Sequence, residues 1–195
     1  MSMNFRYDFR KNKTFVILIL SFSIFASGIQ DYSRQEAQKV LGVISKIERE
    51  SSRKTGDSLE NISITENELN SYIAYRIEVE KAKIMKELRV KLFKRNKIEC
   101  KILIDLSGQQ IPSFLKPQMT LYFGGKLEVK ESQVRIVLKD LFLEDQRIDP
   151  NVLDLIIALA AKIENYKVWS INDWFELPYG IKDVKTQNQK AVFFY

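Results

Sequence analysis

The sequence predicts an α+β fold in which a long, twisted antiparallel sheet curls around a mostly apolar helix. Two changes in hydrophobic pattern support this: the period drops from about 3.6 residues to two near Glu87, and a nearly uncharged helical pattern begins at Asp149. The composition, 45% hydrophobic with seven glycines and four prolines in 195 residues, excludes collagen-like and wholly disordered chains. We divide the chain into residues 1–28, 29–58 and 59–195.

Residues 1–28 have the pattern of a secretory signal peptide. A basic start between Arg6 and Lys13 precedes thirteen uncharged residues, 14–26, and small residues follow where a signal peptidase cuts. A membrane-spanning helix needs about 20 apolar residues, so a cleaved signal is favoured over an uncleaved anchor. We therefore expect an exported, periplasmic protein of a Gram-negative bacterium, which is held at the inner membrane if the signal is not removed.

The charge balance does not favour nucleic acid as a partner. The full chain carries 31 basic and 25 acidic residues, and the predicted signal takes four basic residues and one acid with it, which leaves a net charge of +3. Such a small excess does not predict nucleic-acid binding. The basic stretches 49–54 and 91–97 are interpreted as solvated loops, with an anionic lipid surface as the alternative contact.

Residues 29–58 are predicted to form an amphipathic helix and a linker. The apolar residues between Asp31 and Glu50 recur every three or four positions and so share one stripe of the helix. Residues 51–58 are polar and include a glycine, which is typical of a linker. The stripe packs on the protein's own domain in the simplest interpretation, and docks on a partner or a membrane surface in the alternatives.

The main domain, residues 59–195, opens with a second helix. Thr65 and Glu68 have the spacing of a capping box, in which each side chain binds the backbone amide of the other residue. Apolar residues follow at helical spacing, among them Ile73 and Ile77. The helix is expected to end between residues 79 and 84.

Four antiparallel strands follow as two hairpins. Alternating apolar residues on either side of the polar turn 94–97 predict the first hairpin. A break with two prolines, residues 108–117, separates it from the second, whose strands are 119–129 and 134–143. In the last strand the apolar positions change parity near Lys139, so a bulge is expected there, with a glycine pair on the partner strand to help it bend.

A third helix is predicted to begin with Asp149 as its cap and Pro150 in its first position, where a missing amide costs nothing. Between Val152 and Ala161 only Asp154 is charged, so the helix is expected to be deeply covered. A final hairpin pairs residues 181–185 with 191–195.

The residue inventory argues against catalysis. The chain has no histidine and one cysteine, so imidazole-based triads and histidine or multi-cysteine metal sites are excluded. Cys100 shares the apolar face of an alternating strand with Ile98 and Ile102 and is interpreted as a small buried hydrophobe. The acids between Glu144 and Asp154 are interpreted as helix-start and loop residues. We predict no enzyme, no catalytic residue, no metal site and no cofactor.

Several short patterns follow one another in the main domain. They are a helix entry at 64–73, strands at 125–129 and 134–143, a helix entry at 149–157, and Leu-Pro-Tyr-Gly-Ile at 177–181. In this order they resemble bacterial exported proteins of the tubular lipid-binding (TULIP-like) type, over residues 62–195. The resemblance implies a twisted sheet wrapped on a helix, with a lipid or another apolar ligand between them.

The nearly all-apolar third helix and the strands rich in apolar and aromatic residues either fill the protein's own core or leave a groove between sheet and helix. For the second case, and from the resemblance, we expect non-covalent binding of a lipid or apolar small molecule in that groove, driven by burial. The alternative is a structural or scaffold protein of the cell envelope that docks a protein partner through its first helix. The expected lining residues are Ile73, Ile77, Leu153, Ile156, Ile157 and Ala160.

Overall fold

The computed structural model describes residues 32–53, 59–164 and 167–195, and the predicted signal lies outside them. In these ranges it contains three helices and nine strands, so the α+β class is confirmed. No helix in the described ranges is both long and apolar enough to cross a membrane. The helices are α1 (Arg34–Ser51), α2 (Glu66–Val79) and α3 (Pro150–Glu164). The strands are β1 (Asn61–Thr65), β2 (Met85–Leu92), β3 (Lys97–Asp105), β4 (Gln118–Lys130), β5 (Gln133–Leu143), β6 (Gln146–Arg147), β7 (Phe175–Glu176), β8 (Asp183–Gln187) and β9 (Lys190–Phe194).

The strands form two antiparallel sheets. The larger has the order β2-β3-β4-β5-β6, with β7 also paired to β5, and it curls into a half-barrel as predicted. The smaller has the order β1-β9-β8. The sequence predicted the β8–β9 hairpin but neither β1 nor a second sheet, because β1 finds its partner about 130 positions along the chain.

The predicted bulge in β5 is present at Lys139. Gly125 pairs with Leu138 while the preceding Gly124 pairs with Asp140, so Lys139 has no partner on β4. One extra residue reverses the parity of all side chains that follow it. As a result Ile136 and Leu141 are both buried, although they are five positions apart.

The surroundings of Gly125 leave no room for a side chain. A Cβ atom there would lie 2.7 Å from the carbonyl oxygen of Val137 and 3.1 Å from a methyl carbon of Ile136. A Cβ on the neighbouring Gly124 would have no atom closer than 3.9 Å. The close approach of β4 and β5 at the bulge therefore depends on one of the two glycines.

The first two helices pack against each other in antiparallel fashion. Ion pairs join Arg34 to Glu78 and Lys39 to Glu68, at 3.3 and 3.6 Å. The predicted capping box is confirmed: Thr65 Oγ1 accepts from the Glu68 amide at 3.2 Å, and the Glu68 carboxylate accepts from the Thr65 amide at 2.9 Å. This backbone hydrogen bond lowers the pKa of Glu68. The apolar stripe of α1 is buried, so it packs on the protein's own domain.

The β2–β3 turn joins the two sheets. Asn96 Oδ1 accepts from the Thr186 amide on β8 at 2.9 Å, and the Asn96 carbonyl accepts from the Leu127 amide on β4 at 2.8 Å. Thr186 Oγ1 donates to the Phe93 carbonyl at 2.5 Å. These bonds hold the small sheet across one end of the half-barrel.

Helix α3 begins as predicted, with Asp149 Oδ1 accepting from the Asn151 amide at 2.9 Å. The expectation that it is deeply covered is correct for one face only. Leu153, Ile156 and Ala160 are buried, whereas Leu155 on the outer face is 37% exposed. The helix therefore packs one face over the concave side of the half-barrel and leaves the other face in solvent.

Replacing Gly125 by alanine should lower the free energy of unfolding by about 1–3 kcal/mol, because the new methyl group forces β4 and β5 apart. The same replacement at Gly124 should change it by less than about 0.5 kcal/mol. Urea unfolding of both variants measures the difference. Equal losses in the two would contradict the role assigned to the close approach at Gly125.

Candidate functional site

A partly enclosed cavity of about 170 Å³ lies between the curled sheet and α3. The inner faces of β2, β3, β4 and β5 form its floor, and α3 forms its roof. Residues of β8 and β9 close one end, and Trp169 and Ile171 contribute from the segment after α3. The sequence predicted the sheet and the helix that enclose this space.

Four of the six predicted lining residues face the cavity. Leu153, Ile156, Ile157 and Ala160 occupy one face of α3, with spacings of three, one and three. The lining found among the described residues does not include Ile73 or Ile77. Ile73 is fully buried in the hydrophobic core and Ile77 is half-buried against it.

Helix α2 meets the cavity near its first turn instead. Leu69 is its contribution to the wall. The helical period shows which residues of α2 share a face, but it does not show which part of that face meets open space. For that reason the sequence does not show that Leu69 lines the cavity while Ile73 lies in the core.

The sheet supplies most of the wall, and sequence reasoning did not name these residues as lining. Val90, Cys100, Leu121, Phe123 and Ile136 are among them. The alternation of apolar residues along each strand carries the signal, since it identifies the inward face. Only the curl, which brings these strands around α3, turns that face into a cavity wall.

The cavity wall has few groups that can hydrogen-bond to a ligand or pair with its charge. Among the lining residues that the structure describes, none is charged and Thr186 is the one with a hydroxyl group. That hydroxyl is already used, because it donates to the Phe93 carbonyl. A guest in this cavity would be recognised by its size, its shape and its lack of polar groups.

Cys100 faces the cavity without the properties of a nucleophile. Its thiol is free and buried, and burial raises its pKa above the ordinary value of 9.0. A reactive thiolate needs a lowered pKa. In the described ranges there is also no group of three or more metal-binding side chains.

The acids near α3 have structural partners, as expected. The Asp154 carboxylate accepts from Ser170 Oγ at 3.0 Å, and Glu144 accepts from the Thr120 amide at 2.9 Å. With Asp149 capping α3, these carboxylates order the segments on either side of that helix.

Comparison with known proteins gives no family for this chain: no family model, curated protein or solved structure matches it. The resemblance to tubular lipid-binding proteins therefore stays a prediction from the sequence.

Cys100 should be protected in the folded protein. At about pH 8 its thiol should not react with Ellman's reagent until the chain unfolds, because burial keeps it protonated. Burial raises the pKa of Cys100 in the folded protein only. The protonated thiol therefore makes its full contribution to stability below pH 9.0. This contribution is lost as the pH rises further, because the thiol then ionises in the unfolded chain.

The pH dependence of urea unfolding, measured against Cys100→Ala, tests the second part. Rapid reaction of the native thiol, or equal slopes for both proteins above about pH 9, would contradict the placement of Cys100.

Proposed function

We propose that this protein binds an apolar molecule non-covalently in the cavity between the curled sheet and α3. The observation that carries this is a hollow of about 170 Å³ whose described wall has no charged residue. An apolar cavity of about 150 Å³ is known to stay dry and to hold a benzene-sized guest. Typical ligand pockets have roughly 300–1,000 Å³, so a whole lipid exceeds this space and the end of one hydrocarbon chain suits it.

The distribution of lining residues favours the end of a straight chain over a compact ring. The wall includes Met85 and Ile104, at one end of the β2–β3 hairpin, and Leu92 and Ile98 at the other, so the cavity wall is elongated along the strands.

Burial alone gives modest affinity in such a site. Six methylene groups, a guest about as large as benzene, contribute about 5 kcal/mol when they are removed from water. Association costs at least about 4 kcal/mol in lost freedom of motion. Only a chain that occupies most of the cavity binds with useful affinity.

The competing role, docking of an envelope protein on the first helix, has less support. Ala37, Val40 and Ile47 of the α1 stripe are each at most 3% exposed, because the helix packs on its own domain. A partner would have to displace α1 to reach them.

Binding is tested with cis-parinaric acid, a fluorescent fatty acid with an unbranched chain. Ala160→Phe fills the cavity from α3 and should weaken binding by at least about tenfold, the equivalent of two buried methylenes. Ala158→Phe is the matched control, since Ala158 is on the same helix but not among the lining residues.

Two results would overturn the proposed binding site: no saturable binding to the unaltered protein, or equal affinity in both variants. A rise in stability on Ala160→Phe without loss of binding would identify the cavity as a packing defect.

We further propose that the protein acts in the periplasm, on the basis of the basic and uncharged pattern of residues 1–28. Expressed in a Gram-negative host, it should appear in the periplasmic fraction with Ile29 as its first residue. Mass spectrometry of the intact protein and cell fractionation measure this. An uncut chain in the cytoplasmic fraction would contradict export, whereas an uncut chain in the inner membrane would identify an anchor.

A further inference from the structure

Three chain segments lie together at one end of the domain, which we call the lysine end. It consists of the α2–β2 turn (residues 80–84), the β3–β4 loop (106–117) and the described residues around the end of α3 (162–164 and 167–168). The Lys83 amide donates to the Glu164 carboxylate at 3.3 Å, which joins the turn to α3. The Asp105 amide donates to the Ile84 carbonyl at 2.8 Å, which joins the turn to the end of β3.

Exposed apolar side chains concentrate at this end. Phe114 and Val168 are 61% and 56% exposed, and Val79, directly before the turn, is 55% exposed. These are three of the six large apolar side chains that are exposed in the described ranges. Phe114 stands on an ordered support, since Leu115 beside it is buried in the core and Ile111 packs against the core. The loop therefore presents Phe114 to the outside while its own base stays fixed.

The same end has an excess of positive charge. Lys81, Lys116, Lys162 and Lys167 are exposed, and none of them forms an ion pair with a carboxylate in the described ranges. The nearby acids already have cationic or amide partners. Glu78 pairs with Arg34, Glu80 pairs with Arg76, and Glu164 accepts from the Lys83 amide.

The chain also enters the described domain here. The Tyr32 hydroxyl donates to the Glu78 carboxylate near the end of α2, and Arg34 pairs with the same group. The uncharged run of the sequence ends at Ala26, six positions before Tyr32. Six residues reach at most about 21 Å. In the uncleaved form, in which that run anchors the chain in the inner membrane, the lysine end is kept beside the bilayer surface.

We propose that the lysine end is a docking face for an anionic lipid bilayer, with the Phe114 side chain at the interface and the lysines over the headgroups. Aromatic residues favour the membrane interface, and each lysine near an anionic surface strengthens binding about fivefold. This goes beyond the cavity's proposed function, because docking stands whether or not the cavity binds a chain. A second copy of the protein fits this face poorly, since it brings the same charge.

The test uses the full-length chain, with an environment-sensitive NBD label at Phe114→Cys in a Cys100→Ala background. A local label is needed because residues 14–26 can bind membranes by themselves. Vesicles of phosphatidylcholine with phosphatidylglycerol should shift the emission of the NBD label to shorter wavelength, and vesicles of pure phosphatidylcholine should not. The control label is at Asn188→Cys, in the exposed β8–β9 turn away from the lysine end, and it should not respond.

Charge removal gives an independent measurement. Lys116→Gln with Lys162→Gln should raise the vesicle concentration for half-maximal response about 30-fold, by the loss of two lysines. Lys94→Gln with Lys126→Gln, both exposed near the β2–β3 turn at the other end of the large sheet's strands, should leave it unchanged.

The following results would each overturn the docking face: no response at position 114, an equal or larger response at position 188, or equal effects of the two lysine pairs. A response at position 114 that depends on protein concentration without vesicles would identify a second copy as the occupant, and a response to acidic proteins alone would identify a protein partner.

Discussion

The architecture depends on the close approach of two strands at one point, where Gly125 faces β5 beside the unpaired Lys139. A strand without this extra residue would turn either Ile136 or Leu141 toward solvent, because side chains alternate along it. With the bulge, both halves of a long strand bury their apolar residues on one concave side. The half-barrel, and hence the space beneath α3, follows from that single offset.

Helix α3 and this concave surface do not fill each other completely. Ala160, with one methyl group, lines the hollow on α3, and large residues such as Phe123 line it on the sheet. At about 24 cal/mol per Å³, an empty cavity of 170 Å³ carries a penalty of about 4 kcal/mol. Whole domains are stable by only about 5–15 kcal/mol, so occupation of the cavity by an apolar guest would raise stability substantially.

Features that are local in sequence were predicted, and features that depend on distant contacts were not. The capping box at Thr65, the start of α3 at Pro150 and the bulge at Lys139 each follow from neighbouring residues. Strand β1 was missed because its pairing is with the end of the chain. The lining of α3 was found because nearly every residue of that helix is apolar, whereas on α2 the sequence did not distinguish core-facing Ile73 from cavity-facing Leu69.

The cavity and the lysine end meet at the start of β2, where Ile84 and Met85 belong to the cavity wall. A hydrocarbon chain that crosses water to reach a site loses about 0.8 kcal/mol for each exposed methylene, so transfer from a bilayer in direct contact avoids most of this barrier. The proposed docking face and the apolar cavity therefore have a physical reason to be adjacent. If the docked lysine end accepts a chain from the bilayer, exchange of the guest should be faster on anionic vesicles than in solution, and the same lysines should control both rate and docking.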